Sequence, residues 1–210
     1  MNRTSHVPRY VAIMLAVYVA WGALYLATAW IGQQRGPAFD AAIALDAQVP
    51  FIPAFQHVYM LAYVIVFGLF AISREPAFLN RAYAAFILAN GVAFVIFALF
   101  PVMGPVRDAV IARGEDLSVI TRLILAVDSR YNAFPSLHVT NPWLVALMSA
   151  HARGAAPITW VFMAIAVGIT VSTLFVHQHY ILDAVAGMAL AVAAYLAVRA
   201  WTPERGRPRL

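Results

Sequence analysis

Three titratable residues, His138, His179 and Asp183, lie in stretches that are otherwise typical of membrane helices. Ionisable groups at membrane depth are unfavourable, so they usually face a bundle interior or a water-filled cavity. His179 and Asp183 are four residues apart at the start of an apolar segment, a spacing that stacks both side chains on one helix face. Asp183 can then accept a hydrogen bond from one imidazole nitrogen and leave the other as a nucleophile. This pattern predicts phosphoryl-transfer chemistry.

A second segment, residues 135–138, opens another predicted helix. Ser136 is a favourable N-cap residue, and the free backbone N–H groups of a helix start attract phosphate oxygens. His138 then lies at the rim of an anion site, where it can protonate a leaving oxygen. We expect it to face the second histidine across a phosphate-sized space. Ser172 and Thr173 precede that histidine across a short hairpin, which is expected to keep them close to the same pocket.

The composition is that of a membrane protein. Of 210 residues, 63% are hydrophobic and 11% are charged, against roughly 45–50% apolar residues in soluble domains. The chain has no cysteine, which excludes disulfides and cysteine-ligated metals. Its length allows one compact membrane-embedded domain, residues 1–210, and no appended soluble domain. The distribution of its formal +5 charge indicates membrane orientation rather than nucleic-acid binding.

Six apolar segments predict transmembrane helices, at 10–30, 55–72, 82–100, 137–150, 157–176 and 180–198. Backbone polar groups must be satisfied within the lipid, so the predicted fold is an all-α six-helix bundle. The N-terminus, the second and fourth connections and the tail hold nine arginines against two acids, whereas the opposite connections hold five against six. The positive-inside rule therefore predicts cytoplasmic termini. We expect a bacterial inner-membrane protein whose active site faces the periplasm or exterior.

The connection at 101–134 is longer than a simple turn, and its apolar residues recur at roughly helical spacing. We predict one or two short amphipathic helices on the outer surface, between the third and fourth spans. They either cover the bundle or act as a lid over the site. Arg107 and Arg130 flank this segment and are predicted to bind substrate phosphate, and Asn132 is predicted to line the pocket.

The two histidine segments resemble the second and third signature motifs of the type 2 phosphatidic acid phosphatase superfamily of membrane lipid phosphatases and phosphotransferases. The family patterns are Pro-Ser-x-His and Ser-Arg-x5-His-x3-Asp. The chain matches them with Pro135, Ser136 and His138, then Ser172, His179 and Asp183. The resemblance implies that His179 is the nucleophile that becomes phosphohistidine. It also implies that His138 protonates the leaving group and that Asp183 orients His179.

Two departures from the family pattern are informative. Thr173 stands where the family has arginine, and the first motif, Lys-x6-Arg-Pro, is absent because the chain has no lysine. These departures resemble the inositol-phosphorylceramide synthase and sphingomyelin synthase branch, which uses two histidines and an aspartate. A phosphodiester carries one negative charge and a phosphomonoester nearly two, so a site with fewer fixed cations suits the diester. We expect transfer of a phospho-head group between membrane lipids, with hydrolysis of phosphatidic acid or an isoprenyl phosphate as the alternative.

Two other classes of function remain open on the sequence. His138, His177, His179 and Asp183 can also be interpreted as ligands of a hard metal ion. Ionisable residues in apolar helices are likewise typical of a lipid transporter or proton-coupled carrier, although no inverted repeat is evident. The phosphohistidine interpretation requires no cofactor and no metal. It expects His177 to point away from the site, and His57 to make an interhelical hydrogen bond.

Overall fold

The computed structural model describes residues 6–105 and 119–201. Within these ranges the protein is all-helical with no strand, which confirms that the fold is all-α. The predicted number of six spans is not confirmed. The α-helices are α1 (Val7–Arg35), α2 (Gln56–Tyr59), α3 (Leu69–Ile72), α4 (Pro76–Leu99), α5 (Val119–Val127), α6 (Leu137–Arg153), α7 (Pro157–Phe175) and α8 (Ile181–Trp201). Short 3₁₀ helices lie at Asp46–Gln48, Pro53–Phe55, Met60–Tyr63 and Ile65–Gly68.

Four helices, α1, α4, α7 and α8, are long and apolar enough to cross a membrane. A fifth crossing results if Pro53–Tyr63 and Ile65–Ile72 count as one span that bends by 55°. The single helix expected at 55–72 is therefore replaced by a bent segment of short helices. The break lies at Val64, in a run of β-branched residues that are weak helix formers.

Helix α6 corresponds to the fourth predicted span. It has 17 residues with Pro142 inside, so its length does not by itself mark it as a membrane crossing. It nevertheless packs against both α7 and α8, and most of its residues from Val139 to Ser149 are buried or half-buried. The polar residues of α6 are therefore shielded by neighbouring helices.

The connections separate into two groups at opposite ends of the bundle. At one end, Nε2 of His6 lies 2.6 Å from the Arg74 carbonyl oxygen, and Nε of Arg153 donates to the Ile72 carbonyl at 2.7 Å. At the other end, the backbone of the α1–α2 connection contacts both the chain after α4 and the end of α7. Its hydrogen bonds there include Ala38 N–H to Pro101 O and Ile52 N–H to Phe175 O. The arginine distribution in the sequence divides the connections into the same two groups.

Helix α5 is an amphipathic surface helix of the kind predicted between the third and fourth spans. Its exposed large apolar residues are Val119, Leu123 and Val127. On its inner side Ile124 packs in a cluster with Tyr59, and the hydroxyl of Thr121 donates to Oε1 of Gln56 at 2.9 Å. Helix α5 therefore covers the first half of the bent segment. Residues 106–118 of the predicted surface region lie outside the described residues.

Candidate active site

The turn between α7 and α8 carries His179. The backbone carbonyl of Thr173 accepts hydrogen bonds from the backbone N–H groups of Gln178 at 3.0 Å and His179 at 3.2 Å. His177, inside the turn, has a φ of +51°, in the left-handed region that residues with a Cβ rarely adopt. The third motif therefore builds its own turn, and this turn presents His179 at one end of the bundle.

Asp183 is fully buried in the first turn of α8, beside His179. Its Oδ2 lies 3.5 Å from Nδ1 of His179 and accepts a hydrogen bond from the backbone N–H of Tyr180 at 2.8 Å. The carboxylate thus has a fixed position next to the ring.

The start of α6 brings His138 to the same place. Ser136 is the N-cap residue, as expected, although its hydroxyl makes no capping bond, and its backbone N–H donates to the Asp183 carbonyl at 3.1 Å. One turn later the hydroxyl of Thr140 donates to the Gly187 carbonyl at 3.0 Å. A Cβ at Gly187 would lie 2.5 Å from the Ser136 carbonyl oxygen, so glycine permits this close approach of α6 to α8.

The two imidazole rings are in direct contact. Nδ1 of His138 lies 3.3 Å from Nε2 of His179, which is a long hydrogen-bond distance. The expected phosphate-sized space between the rings is not there. A phosphoryl group bound between these nitrogens requires the rings to move apart.

Sequence reasoning missed three residues that surround His138. Oδ1 of Asp128 lies 3.6 Å from Nε2 of His138. Tyr59 donates to Oδ2 of this carboxylate at 2.5 Å, and Tyr63 donates to Oδ1 at 2.7 Å. The Tyr59 hydroxyl also lies 3.2 and 3.1 Å from the two ring nitrogens of His138. The signal in the sequence was a pair of tyrosines four residues apart in an apolar segment.

A cavity of about 280 Å³ lies beside His179. Its polar wall is formed by Asp46, His177, His179 and Tyr180. The expectation that His177 points away from the site is therefore wrong. Residues 176–180 form a turn rather than a helix, so the helical geometry behind that expectation does not apply. Nε2 of His177 lies 3.1 Å from the Val49 carbonyl oxygen, which joins this turn to the α1–α2 connection.

A second cavity, of about 120 Å³, lies on the His138 side. It is lined by Met60, Tyr63, Leu123, Ile124 and Val127. Tyr63 connects it to the histidine pair through the hydrogen bond to Asp128. The first cavity therefore has both polar and apolar groups in its wall, whereas the wall of the second is almost entirely apolar.

Two predicted binding residues turn their hydroxyl groups into their own helix. Ser172 and Thr173 are fully buried, and their hydroxyls donate to the carbonyls of Ile169 at 2.7 Å and Thr170 at 2.8 Å. Such bonds to the preceding turn are common for serine and threonine in helices. Thr173 contributes to the site through its backbone carbonyl, which accepts the two hydrogen bonds that stabilise the turn at His179.

The other predicted polar residues are dispersed around the site. Asn132 is buried, and its amide donates to the Tyr25 carbonyl in α1 at 2.8 Å. Arg130 is half-buried, and its carbonyl accepts the Gly104 N–H at 2.8 Å. Arg107 lies outside the described residues. His57 is exposed, and its Nδ1 lies 3.2 Å from a carbonyl oxygen of its own segment. The expected interhelical bond is not found within residues 6–105 and 119–201.

Comparison with known proteins identifies one family. The family model described as the PAP2 superfamily matches residues 23–197, which include the C-terminal part of α1, all of α2 to α7, most of α8 and both histidine motifs. Curated proteins and solved structures give no match. Across 6–105 and 119–201, no group of three or more His, Asp or Glu side chains is arranged to hold a metal ion.

Proposed function

The chain belongs to the PAP2 superfamily, and on that premise we propose that it transfers a phospho-head group between membrane lipids through a phosphohistidine on His179. Membership of the superfamily is consistent with lipid phosphatase or lipid phosphotransferase activity. The observation that carries the proposal is the 3.3 Å contact between His138 and His179, with Asp183 behind the second ring. The proposed activity is that of the inositol-phosphorylceramide synthase and sphingomyelin synthase branch.

In the first step Nε2 of His179 attacks the phosphorus of the donor lipid. A nitrogen–phosphorus bond forms as the bond from phosphorus to the lipid oxygen breaks, and the proton on Nδ1 of His138 moves to that oxygen. Asp183 faces the opposite nitrogen of His179, where it stabilises the charge that develops on the ring. The products of this step are a lipid alcohol and a phosphohistidine that carries the head group.

In the second step an acceptor alcohol attacks the phosphorus. The nitrogen–phosphorus bond breaks, and Nδ1 of His138 takes the proton of the acceptor, so both histidines return to their starting states. The two cavities support a substrate with a polar head group and hydrocarbon chains, because one adjoins His179 and the other adjoins Tyr63.

The charges around the site support transfer from a phosphodiester. Among the described residues that line the larger cavity there is no arginine, whereas Asp46 is one of them. Asp128 and Asp183 add two further carboxylates next to the histidines. This arrangement disfavours a phosphomonoester that carries nearly two negative charges, because electrostatic stabilisation must match the charge that is present.

The proposed arrangement in the membrane has six crossings within one domain over residues 1–210. Helix α6 is the proposed sixth crossing, and both termini are proposed to lie in the cytoplasm of a bacterial cell. The histidines then face the periplasm or exterior. Ser136, Arg130, Arg107 and Asn132 are proposed as residues near the bound head group, with Ser172 and Thr173 supporting the turn that carries His179.

The proposal is tested with purified protein in lipid nanodiscs and a panel of donors labelled in the head group. The donors are phosphatidylcholine, phosphatidylethanolamine, phosphatidylinositol and phosphatidic acid. Each is assayed with and without an acceptor, either ceramide or a diacylglycerol whose acyl chains differ from those of the donor. We expect a labelled product lipid that forms from a phosphodiester donor and requires the acceptor. Rapid release of inorganic phosphate from phosphatidic acid, with no transfer to an alcohol, would instead identify a phosphatase.

A further inference from the structure

We propose that Asp128 is a positioning residue for His138: its carboxylate, held by Tyr59 and Tyr63, orients the imidazole that exchanges the proton with substrate. This inference rests on the proposed function, because it concerns the proton that His138 gives to the leaving oxygen. Asp128 belongs to neither histidine motif. It lies directly after α5 and is buried.

Each of the two histidines has a carboxylate beside one of its ring nitrogens. Oδ2 of Asp183 lies 3.5 Å from Nδ1 of His179, and Oδ1 of Asp128 lies 3.6 Å from Nε2 of His138. The remaining nitrogens of the two rings face each other at 3.3 Å. Each imidazole thus has a carboxylate at one nitrogen and the reaction centre at the other. A carboxylate in this position holds an imidazole in the orientation and tautomer that proton transfer requires.

Two tyrosine hydroxyls hold the Asp128 carboxylate in place. A buried carboxylate is unfavourable unless donors satisfy its oxygens, and Tyr59 and Tyr63 each donate to a different oxygen, at 2.5 and 2.7 Å. The two tyrosines are four residues apart, so both hydroxyls reach the carboxylate from the same face. The pair ends immediately before the break at Val64, so the first half of the bent segment positions the carboxylate.

This arrangement assigns a path to each proton. Before the first step His138 carries protons on both nitrogens, and the proton on Nδ1 leaves with the lipid oxygen while Nε2 keeps its proton toward Asp128. After the second step Nδ1 holds the proton of the acceptor alcohol. Asp128 stabilises the positive charge of the ring in both of these states, as a carboxylate beside a catalytic imidazole does. Without it, the ring is both misoriented and less able to hold its proton.

The test compares two leaving groups in the Asp128→Asn variant. One donor is the phosphodiester lipid accepted by the wild-type protein, and the other has the same head group esterified to p-nitrophenol, which leaves without a proton. The rate compared is that of the first step, donor cleavage in a single turnover without acceptor. We expect it to fall by about 10²-fold or more with the lipid donor, since general acid catalysis contributes that much or more. With the nitrophenyl donor we expect a fall of no more than about threefold, because nitrophenolate leaves without a general acid.

Two further variants distinguish a loss of His138 positioning from a general loss of folding. Tyr63→Phe should show a smaller loss with the same dependence on the leaving group, since one hydrogen bond to the carboxylate remains from Tyr59. Tyr83→Phe removes a tyrosine hydrogen bond in α4, to the Tyr10 carbonyl at 2.7 Å, and should leave both donors unaffected. If Asp128→Asn does not fold, the leaving-group dependence of Tyr63→Phe decides the question.

An equal loss with both donors, or no loss with either, would overturn the role of Asp128. The His138→Ala variant tells this failure apart from failure of the proposed function. If His138→Ala loses activity only with the lipid donor and Asp128→Asn does not, the role of Asp128 alone is wrong. If His138→Ala shows no dependence on the leaving group, the proposed function of His138 is itself wrong.

Discussion

Nδ1 of His138 and Nε2 of His179 lie 3.3 Å apart, although 41 residues separate the two histidines in the chain. One ring sits in the first turn of α6 and the other just before α8. They meet because the Ser136 N–H donates to the Asp183 carbonyl, so the start of α6 is fixed to the start of α8. The contact therefore depends on backbone packing between the helices as well as on the histidines.

Substitution of the carboxylate behind His179 should remove activity and keep the fold. In Asp183→Asn an amide oxygen can still accept the Tyr180 N–H, but the charge beside His179 is lost. We expect kcat to fall by about 10³–10⁴-fold, as for comparable carboxylate losses, with a thermal midpoint close to that of the wild type. Asp40→Asn is the control, because Asp40 is exposed and its carboxylate accepts a local hydrogen bond from the Ala42 N–H at 2.9 Å. A similar loss in Asp40→Asn would argue against a specific role for Asp183.

The close approach of α6 to α8 should not tolerate a methyl group. In Gly187→Ala the new Cβ would lie 2.5 Å from the Ser136 carbonyl oxygen, so α6 must shift and carry His138 with it. We expect a lower free energy of unfolding by about 1–3 kcal/mol and a clear loss of kcat. Gly91→Ala in α4 is the matched control, because no heavy atom lies within 4 Å of its new Cβ. This control should be neutral or stabilising by up to about 1 kcal/mol, and an unchanged Gly187→Ala would show that the helices are not in tight contact.

The backbone at His177 should favour glycine. His177→Ala and His177→Gly both lose the contact with the Val49 carbonyl, but only alanine keeps a Cβ at a φ of +51°. We expect His177→Gly to be the more stable of the two by roughly 1 kcal/mol, measured by thermal unfolding in detergent. Both should retain chemistry far better than His179→Ala, because the Nε2 of His177 is directed at a backbone carbonyl. Equal stability of the two variants would contradict the left-handed turn.

The spacing of four correctly predicted that His179 and Asp183 are adjacent, since Nδ1 of His179 lies 3.5 Å from Oδ2 of Asp183. It did not predict the backbone, because His179 lies in the turn before α8 rather than in the helix. The resemblance located His138 because its motif is also local. The hydroxyls of Ser172 and Thr173 were not predictable, because serine and threonine in a helix have the preceding carbonyls as alternative partners. Matching spacing therefore located the right segment but not the direction of each side chain.

Asp128 could not have been identified from spacing. Its tyrosine partners are 69 and 65 residues away, in the bent segment, and hydrogen bonds over such separations depend on tertiary packing. The bend itself was also missed, because hydropathy reports how long an apolar segment is and not whether its backbone is regular. Hydropathy alone does not distinguish a straight helix from a chain of short ones.

The proposed orientation in the membrane is tested with reporter fusions. Fusions after Arg9 and after Arg209 should both report the cytoplasm, because the connections at that end carry most of the arginines. A fusion in the α1–α2 connection, after Asp46, should report the opposite side, where the histidines are proposed to lie. A periplasmic signal from either terminal fusion would overturn the orientation.

The central claim is that His179 carries the head group covalently, and rapid quenching of a single turnover tests it most directly. The enzyme is mixed with a phosphodiester donor labelled in the phosphate, without acceptor, quenched in alkali and digested for mass spectrometry. We predict a labelled histidine at position 179 that disappears when acceptor lipid is added and is absent from His179→Ala. Turnover by His179→Ala, or wild-type turnover with no label at this residue, would contradict the phosphohistidine mechanism.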